Sequence, residues 1–391
     1  MSKEISTELE EALKEYPRVV AAVDLEAVLD NVRMMKANIP DGTKITAVIK
    51  TDAYGHGALE VGKKLENEPY LWGFAVATFE EAKQLREGGL KKPVLILGYV
   101  FPYAYEEMAQ LGIRPAVFRL DQLEELDMAA KALNIRMPIH IAVDTGMSRI
   151  GITPDENGIE FIKKAISMKN LEVEGIFTHF ARADESNLSN ANDVLKRYKS
   201  FLTKIYESTG YQIPIQHCSN SAGIIALMPN AAMNMVRAGV TIYGMWPSDE
   251  VDKKPVPIRP VMSLYSHVVY VKTLNEGTPI SYGGTFVTTK ETRVATIPVG
   301  YGDGYPRGLS NKGYVLIRGQ KARILGRVCM DQFMVDVTES EDIHEGDKVT
   351  LLGADGDLKI SAEELGNISG RFNYELTCDI NKRVPRVFLG K

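Results

Sequence analysis

At 391 residues, with 45% hydrophobic and 25% charged residues, the chain falls in the range of soluble globular proteins and is too long for one ordinary core. A net charge of −5, with no basic run and no interleaving of aromatic and basic residues, argues against nucleic acid as a partner. No stretch of about 18 apolar residues could span a membrane, and the N-terminal MSKEISTELEEALKEYPRVV lacks the apolar core of a signal peptide, so a cytoplasmic protein is expected.

Residues 18–24 read as a short strand, and 25–37 as a helix through Leu25, Val28, Leu29, Val32 and Met35. From Lys44 a strand–helix rhythm begins. Apolar runs at 44–49, 72–77, 93–98, 113–118, 138–143, 173–178, 213–217 and 233–237 are separated by polar or amphipathic stretches such as FEEAKQLREGG and DQLEELDMAAKAL. This alternation, without hairpin signals, predicts an α/β fold: a (β/α)8 barrel of the TIM type with its reactive groups at the C-terminal ends of the strands. The first run ends in Lys50 and breaks into a turn carrying Gly55 and Gly57. Burial lowers a lysine's pKa, and the freed amine can form a Schiff base with an aldehyde or ketone. Taken alone, a strand-end lysine more often snorkels to water. Arg149, His179, the HCSNS turn and Arg237 fall at later strand ends.

Near residue 250 the texture changes. SDEVDKKPVPIRP is a charged, proline-rich connector, and LYSHVVYVKTL, TRVATIPVG, GYVLIRGQKARILGRV, FMVDVT and DKVTLLG are short strands broken by turns. The expected organisation is a barrel over 1–250 followed by a C-terminal, mostly antiparallel β domain over 251–391, with residues 1–24 available to pack on the latter. Only SAEELGNISG in that second part reads as helical. Cys218, Cys329 and Cys378 are odd in number and far apart, without a CxxC pair or a histidine at ligand spacing, which predicts reduced thiols and no metal.

The stretch AVIKTDAYGHG (47–57) resembles the cofactor-lysine motif of the alanine racemase family, whose cofactor is pyridoxal 5'-phosphate (PLP). VDTGMSRIG (143–151), THFA (178–181), HCSNSAG (217–223), VRAGVTIYG (236–244), ISYGGTF (280–286), GRVCMDQFMVD (326–336), NYEL (373–376) and RVPR (383–386) resemble that family's blocks, in its order, over nearly the whole chain. The resemblance implies that Lys50 carries PLP and serves as base on one face of the substrate's α-carbon. Tyr282 would serve the other face from the partner subunit of a homodimer, since racemisation needs one group to remove a proton and another to return one. It further implies a hydrogen-bonded chain through His179 and Arg237, with Arg237 facing the pyridine nitrogen. Ser221, Gly239, Val240, Tyr54 and Tyr374 would hold the phosphate. Arg149 would pair with the substrate carboxylate, helped by the backbone of Met330 from the other subunit, and Asp331 would shape the entrance.

For the phosphate site there is a separate reason, because the loops after barrel strands 7 and 8 usually form it, and here they carry Asn220-Ser221 and Ala238-Gly239-Val240. Without the resemblance, Tyr282 reads as a turn tyrosine beside two glycines, His179 as a hydrogen-bonded core histidine and Arg237 as an ion-pair partner. One position departs from the family. Many members have a carbamylated lysine seven residues before the arginine, where this chain has Ala142. A bound chloride or a reoriented acid is expected to take over the positioning of Arg149. The expected activity is interconversion of L- and D-alanine, supplying D-alanine for peptidoglycan. The alternatives are a serine or broader small amino-acid racemase, a basic amino-acid decarboxylase of the same architecture, and a PLP-homeostasis barrel, which would lack the C-terminal part.

Overall fold

Strand β1 (Val19–Asp24) ends in an aspartate that starts a helix: Asp24 Oδ1 accepts from Ala27 N–H at 2.9 Å and caps Leu25–Ala37. The inward stripe of that helix, Leu25, Val28, Leu29, Val32 and Met35, is buried as its spacing demands. Each such burial stabilises by about 1.5–3 kcal/mol before chain entropy is set against it.

A computed structural model describes residues 3–391. The eight apolar runs form β2 (Lys44–Val48), β3 (Leu71–Val76), β4 (Val94–Ile96), β5 (Ile113–Val117), β6 (Met137–Ala142), β7 (Leu171–Phe177), β8 (Ile215–His217) and β9 (Met235–Ala238). They pair in parallel and close, β9 on β2, into the expected TIM-type barrel. Strands of this kind are covered on both faces, so they read as continuous apolar runs.

The remaining strands are β10 (Met262–His267), β11 (Tyr270–Leu274), β12 (Pro279–Ile280), β13 (Phe286–Val287), β14 (Thr292–Ile297), β15 (Tyr314–Ile317), β16 (Gln320–Leu325), β17 (Phe333–Asp336), β18 (Lys348–Asp355), β19 (Leu358–Ile360) and β20 (Arg386–Leu389). A sheet runs β11-β14-β17-β16-β15-β18-β10-β1-β20, with β19 beside β18, and β12 and β13 form a separate hairpin. Every pairing in the larger sheet is antiparallel except β1 with β20. Buried residues of barrel and sheet make one continuous apolar cluster, from Val19 and Ile45 to Phe333 and Leu351. Arg259 ties the connector back, with Nη1 2.8 Å from Asp24 and Nη2 2.9 Å from Asp30.

The C-terminal part holds a second helix, Asn373–Asp379, besides the expected Ala362–Ser369. Reading only one helix there was incorrect. Seven residues are two turns, too short for a 3.6-residue period to show, and the helix is held by tertiary contact through buried Leu376 and Thr377. An N-terminal helix, Lys3–Glu15, also went unread; its Leu9 packs with Val20, Ala22, Tyr265 and Leu389.

Candidate active site

Lys50 lies two residues past the last residue of β2, Val48, and the backbone then makes an unusual turn. Thr51, Asp52, Ala53 and Tyr54 have φ of 53°, 51°, 55° and 54°, a left-handed run without a glycine. Such a conformation costs about 1–2 kcal/mol per residue, so the surroundings must hold it. Asp52 Oδ1 accepts from Ala58 N–H at 2.8 Å, and Gly57 N–H donates to Asp52 O at 2.9 Å. His56 Nδ1 lies 3.0 Å from both Ala53 O and Tyr54 O, and its ring stacks on Tyr243. Gly55, at φ +83°, lets the helix Asn373–Asp379 seat directly on the turn: a Cβ there would lie 2.0 Å from Thr377 O. That contact carries Tyr374 and Cys378 to the mouth of the barrel.

At that mouth a cleft of about 680 Å³ is lined by Lys50, Tyr54, Arg149, His179, Ser221, Arg237, Gly239, Val240 and Tyr374, among others. The residues come from the ends of five strands and from the C-terminal helix. Burial lowers the Lys50 pKa, and the Arg149 charge lowers it further, against the opposing pull of Glu81 and Cys378. A larger fraction of neutral amine results, the form needed for carbonyl chemistry.

Arg237 is 2% exposed, and no carboxylate among the described residues pairs with it. Its Nη1 donates to His217 Nδ1 at 2.7 Å, while Nη2 donates to Thr178 O at 2.7 Å and Cys218 O at 3.1 Å and stands 3.3 Å from His179 Nδ1. The guanidinium also lies over the Phe177 ring, 5.4 Å from its centroid. Burial pulls the Arg237 pKa down to about 10, which still leaves it charged near neutrality. Behind it, His217 Nε2 meets His140 Nδ1 at 3.0 Å, and His140 Nε2 meets Glu174 Oε2 at 3.1 Å.

Across the cleft, Ser221 Oγ accepts from Gly239 N–H and from the Thr241 hydroxyl, both at 2.9 Å, which leaves its own proton to donate outward. Gly239 keeps a hollow open between two hydroxyls, since a Cβ there would lie 3.3 Å from Tyr54 Oη and 3.6 Å from Ser221 Oγ. Burial raises the Tyr54 and Tyr374 pKa values, so both phenols stay protonated. Arg149 sits in a loop drawn tight by Asp144 Oδ1, which accepts from Gly146 N–H at 2.8 Å and Ser148 N–H at 3.0 Å.

Tyr282 and Met330 are not brought to this cleft within the chain. They are 72% and 53% exposed and share another rim. The Ser281 hydroxyl donates to Arg327 O at 2.7 Å and lies 3.4 Å from Cys329 Sγ, joining the Tyr282 turn to the Met330 loop. Tyr301 N–H donates to Cys329 O, which places the 43%-exposed Tyr301 on the same rim. Among the described residues no cluster of His, Cys, Asp or Glu could hold a metal ion, and no helix is long and apolar enough to cross a membrane.

The family model described as alanine racemase, N-terminal domain, matches residues 23–247, and that described as alanine racemase, C-terminal domain, matches residues 261–388. The chain belongs to the alanine racemase family. An alanine racemase of Methanococcus maripaludis is 44% identical over 370 residues, covering 94% of this chain and 98% of that protein. The solved structure of an alanine racemase from Clostridium difficile 630 has a TM-score of 0.90 at 38% identity, with 95% of this chain and 96% of that one covered. A Bacillus anthracis alanine racemase solved with bound L-Ala-P has a TM-score of 0.87 at 36% identity, covering 96% and 95%.

Four residues that bear on the site of this alanine racemase family member escaped the sequence reading: His140, His217, Glu174 and Glu81. A signal for three of them was available. His140 and Glu174 are polar residues inside apolar parallel strands, MPIHIA and LEVEGIF, and His217 opens the HCSNS turn. For Glu81 the only sign was its place three residues after Thr78, which reads as a helix-capping box.

Proposed function

We propose that the chain interconverts L- and D-alanine with PLP, using Lys50 on one face of the α-carbon and Tyr282 of a second copy on the other. The observation that carries this reading is the convergence of Lys50, Arg237, Ser221, Tyr54 and Arg149 on one cleft. The donor set fits PLP: a depressed lysine for the aldehyde, a hollow kept open by Gly239 beside hydroxyl donors for the phosphate, and a buried guanidinium for the ring. When bound, PLP supplies the carbonyl that joins the amines and the conjugated ring that draws electrons from the α-carbon.

The chain's own residues do the rest. Ser221, Val240, Tyr54 and Tyr374 hold the phosphate with N–H and O–H donors, and Gly239 orients Ser221 by donating to its oxygen. Arg237, which only donates, would be the residue toward the cofactor's pyridine nitrogen and would favour its unprotonated form. Arg149 offers a planar fork to the substrate carboxylate, with Met330 of the second copy beside it. The Lys50 amine takes the α-proton from one side, and Tyr282 gives or takes one from the other. His179, 3.3 Å from Arg237, links that tyrosine to the buried charge. Exposure of Tyr282 and Met330 together on one rim supports their serving the cleft of a homodimeric partner. The reading includes a barrel unit over 1–250, a β unit over 251–391 to whose sheet β1 adds, a cytoplasmic location and supply of D-alanine for cell-wall peptidoglycan.

The test is α-proton exchange and racemisation of L- and D-alanine in D2O, with an absorbance scan of the same protein and serine run in parallel. Exchange from both enantiomers, faster with alanine than serine, is expected. A bound-PLP absorbance without exchange of alanine would overturn the reading, and faster turnover of serine would replace its substrate.

A further inference from the structure

One carboxylate ties together the exits of two neighbouring barrel strands. Glu81 Oε1 accepts from Thr51 N–H at 2.5 Å, directly after Lys50 and β2. Its Oε2 accepts from Ala77 N–H at 2.8 Å and Thr78 N–H at 3.3 Å, directly after β3. The same residue completes the capping box of the helix Phe79–Glu87, since Glu81 N–H donates to Thr78 Oγ1 at 3.3 Å. A capping box needs only the second of these oxygens. The first accepts from a backbone N–H that belongs to the left-handed turn beyond the end of β2, and bonds to a charged acceptor are about twice as strong as neutral ones.

We propose that Glu81 is a positioning residue for Lys50: by clamping Thr51 N–H against the β3 exit, its carboxylate holds the left-handed turn and aims the lysine into the cleft. This rests on the reading of Lys50 as the cofactor lysine. The turn gives the clamp its purpose. With four residues in an unfavourable backbone region, the direction of Lys50 is set by whatever grips the turn at each end. Asp52 grips its far side through Ala58 N–H, and Glu81 grips the side next to the lysine. The Glu81 charge also favours the ammonium form of Lys50, along with Cys378, while Arg149 disfavours it and His179 lies within the same field.

The experiment compares the full-length chain, freed of PLP, with its Glu81→Gln, Glu81→Asp and Thr78→Ala variants. PLP is added across a pH series, covalent capture at Lys50 is followed by absorbance and by borohydride fixation with peptide mapping, and each Tm is recorded. Glu81→Gln is expected to slow capture roughly tenfold or more, as misplaced reacting groups do, and to move the midpoint of its pH profile downward, because the charge that favours the ammonium is gone. Glu81→Asp, shorter but still charged, should slow capture while keeping the midpoint. Thr78→Ala removes a bond of the same capping box and should lower Tm without slowing capture. Capture by Glu81→Gln and Glu81→Asp at the wild-type rate overturns the proposal, as does slowing of all three variants in step with their Tm. If the wild-type chain fixes no PLP at Lys50, the cofactor-lysine reading falls first and takes this proposal with it.

Discussion

Arg237 Nη1 and His217 Nδ1 stand 2.7 Å apart inside the barrel, and that one contact assigns the protons behind it. A guanidinium only donates, so Nδ1 accepts and the His217 proton sits on Nε2, where it donates to His140 Nδ1. His140 then donates from Nε2 to Glu174, which Arg114 also holds. Burial keeps both rings neutral. For Glu174, burial alone would raise the carboxyl, but the bonds from His140 and Arg114 hold it at about 2. The nearest carboxylate on this path therefore faces Arg237 through two neutral rings. We expect His217→Leu to leave the guanidinium short of an acceptor and to cost about 1.5–3 kcal/mol, the value of a hydrogen bond to a charged group. A urea midpoint unchanged from wild type would contradict this.

Acid should weaken the fold before its carboxylates titrate. Burial drives His56 down to about 4 from 6.5, and His140, His179 and His217 are also lowered by burial. Below pH 6.5 the unfolded chain takes up protons that the folded chain refuses, so stability is full above that pH and is lost as pH falls toward 4. For His56 alone the loss reaches on the order of 3 kcal/mol. Glu174 acts lower, contributing stability above 4.5 that is lost toward 2. Urea midpoints measured between about pH 7 and about pH 4.5 should decline steadily, and His56→Gln should flatten that decline.

Gly55→Ala should be far more damaging than Gly89→Ala. Both glycines have positive φ, +83° and +94°, so both pay the backbone cost of about 1–2 kcal/mol. Only at Gly55 does the new Cβ meet a backbone carbonyl, Thr377 O at 2.0 Å, whereas nothing lies within 4 Å at Gly89. The helix carrying Tyr374 must move, so Gly55→Ala is expected to lower Tm more and also to weaken PLP retention. Equal Tm values for the two variants would show that this seat is not tight.

Why the barrel was legible and parts of its site were not follows from the same physics. Strands covered on both faces must be apolar along their length, so Ile45 to Val48 and the later runs announce themselves. Lys50 was legible as the cofactor lysine only through the resemblance of AVIKTDAYGHG, since a lysine ending such a run more often snorkels to water. The left-handed conformation of the turn after it was not, since Thr51, Asp52, Ala53 and Tyr54 carry no glycine and the bonds that hold them come from Glu81 and Ala58. Tyr282 was legible only by resemblance: within one chain it is a solvent-facing turn residue outside the cleft.

That placement has a direct consequence for mixed assemblies. If each cleft takes its tyrosine from the second copy, Lys50→Ala and Tyr282→Phe should both be nearly inactive alone, Tyr282→Phe by roughly 10²–10⁴-fold with PLP retained. Unfolded together and refolded as a mixture, they should regain activity. A heterodimer has one cleft with both defects and one with neither. No recovery in a mixture shown to exchange subunits would place the tyrosine in its own chain's cleft.

Ala142 bears on how Arg149 is held. It is 1% exposed and packs with Ala116 and Phe177, against Leu97, Phe118 and Ile150. This wall has no side chain to oppose a guanidinium, and Ile150 is the neighbour of Arg149 in the loop. We expect a small anion, chloride above all, to stand near Arg149 and to orient its fork toward the substrate carboxylate. Removing chloride should then raise KM for alanine roughly fivefold, the equivalent of about 1 kcal/mol, with a smaller change in kcat, and adding it back should restore the value. Orientation of a binding group acts on ground state and transition state alike, which is why the effect belongs in KM. A flat chloride titration would leave a reoriented acid as the holder of Arg149.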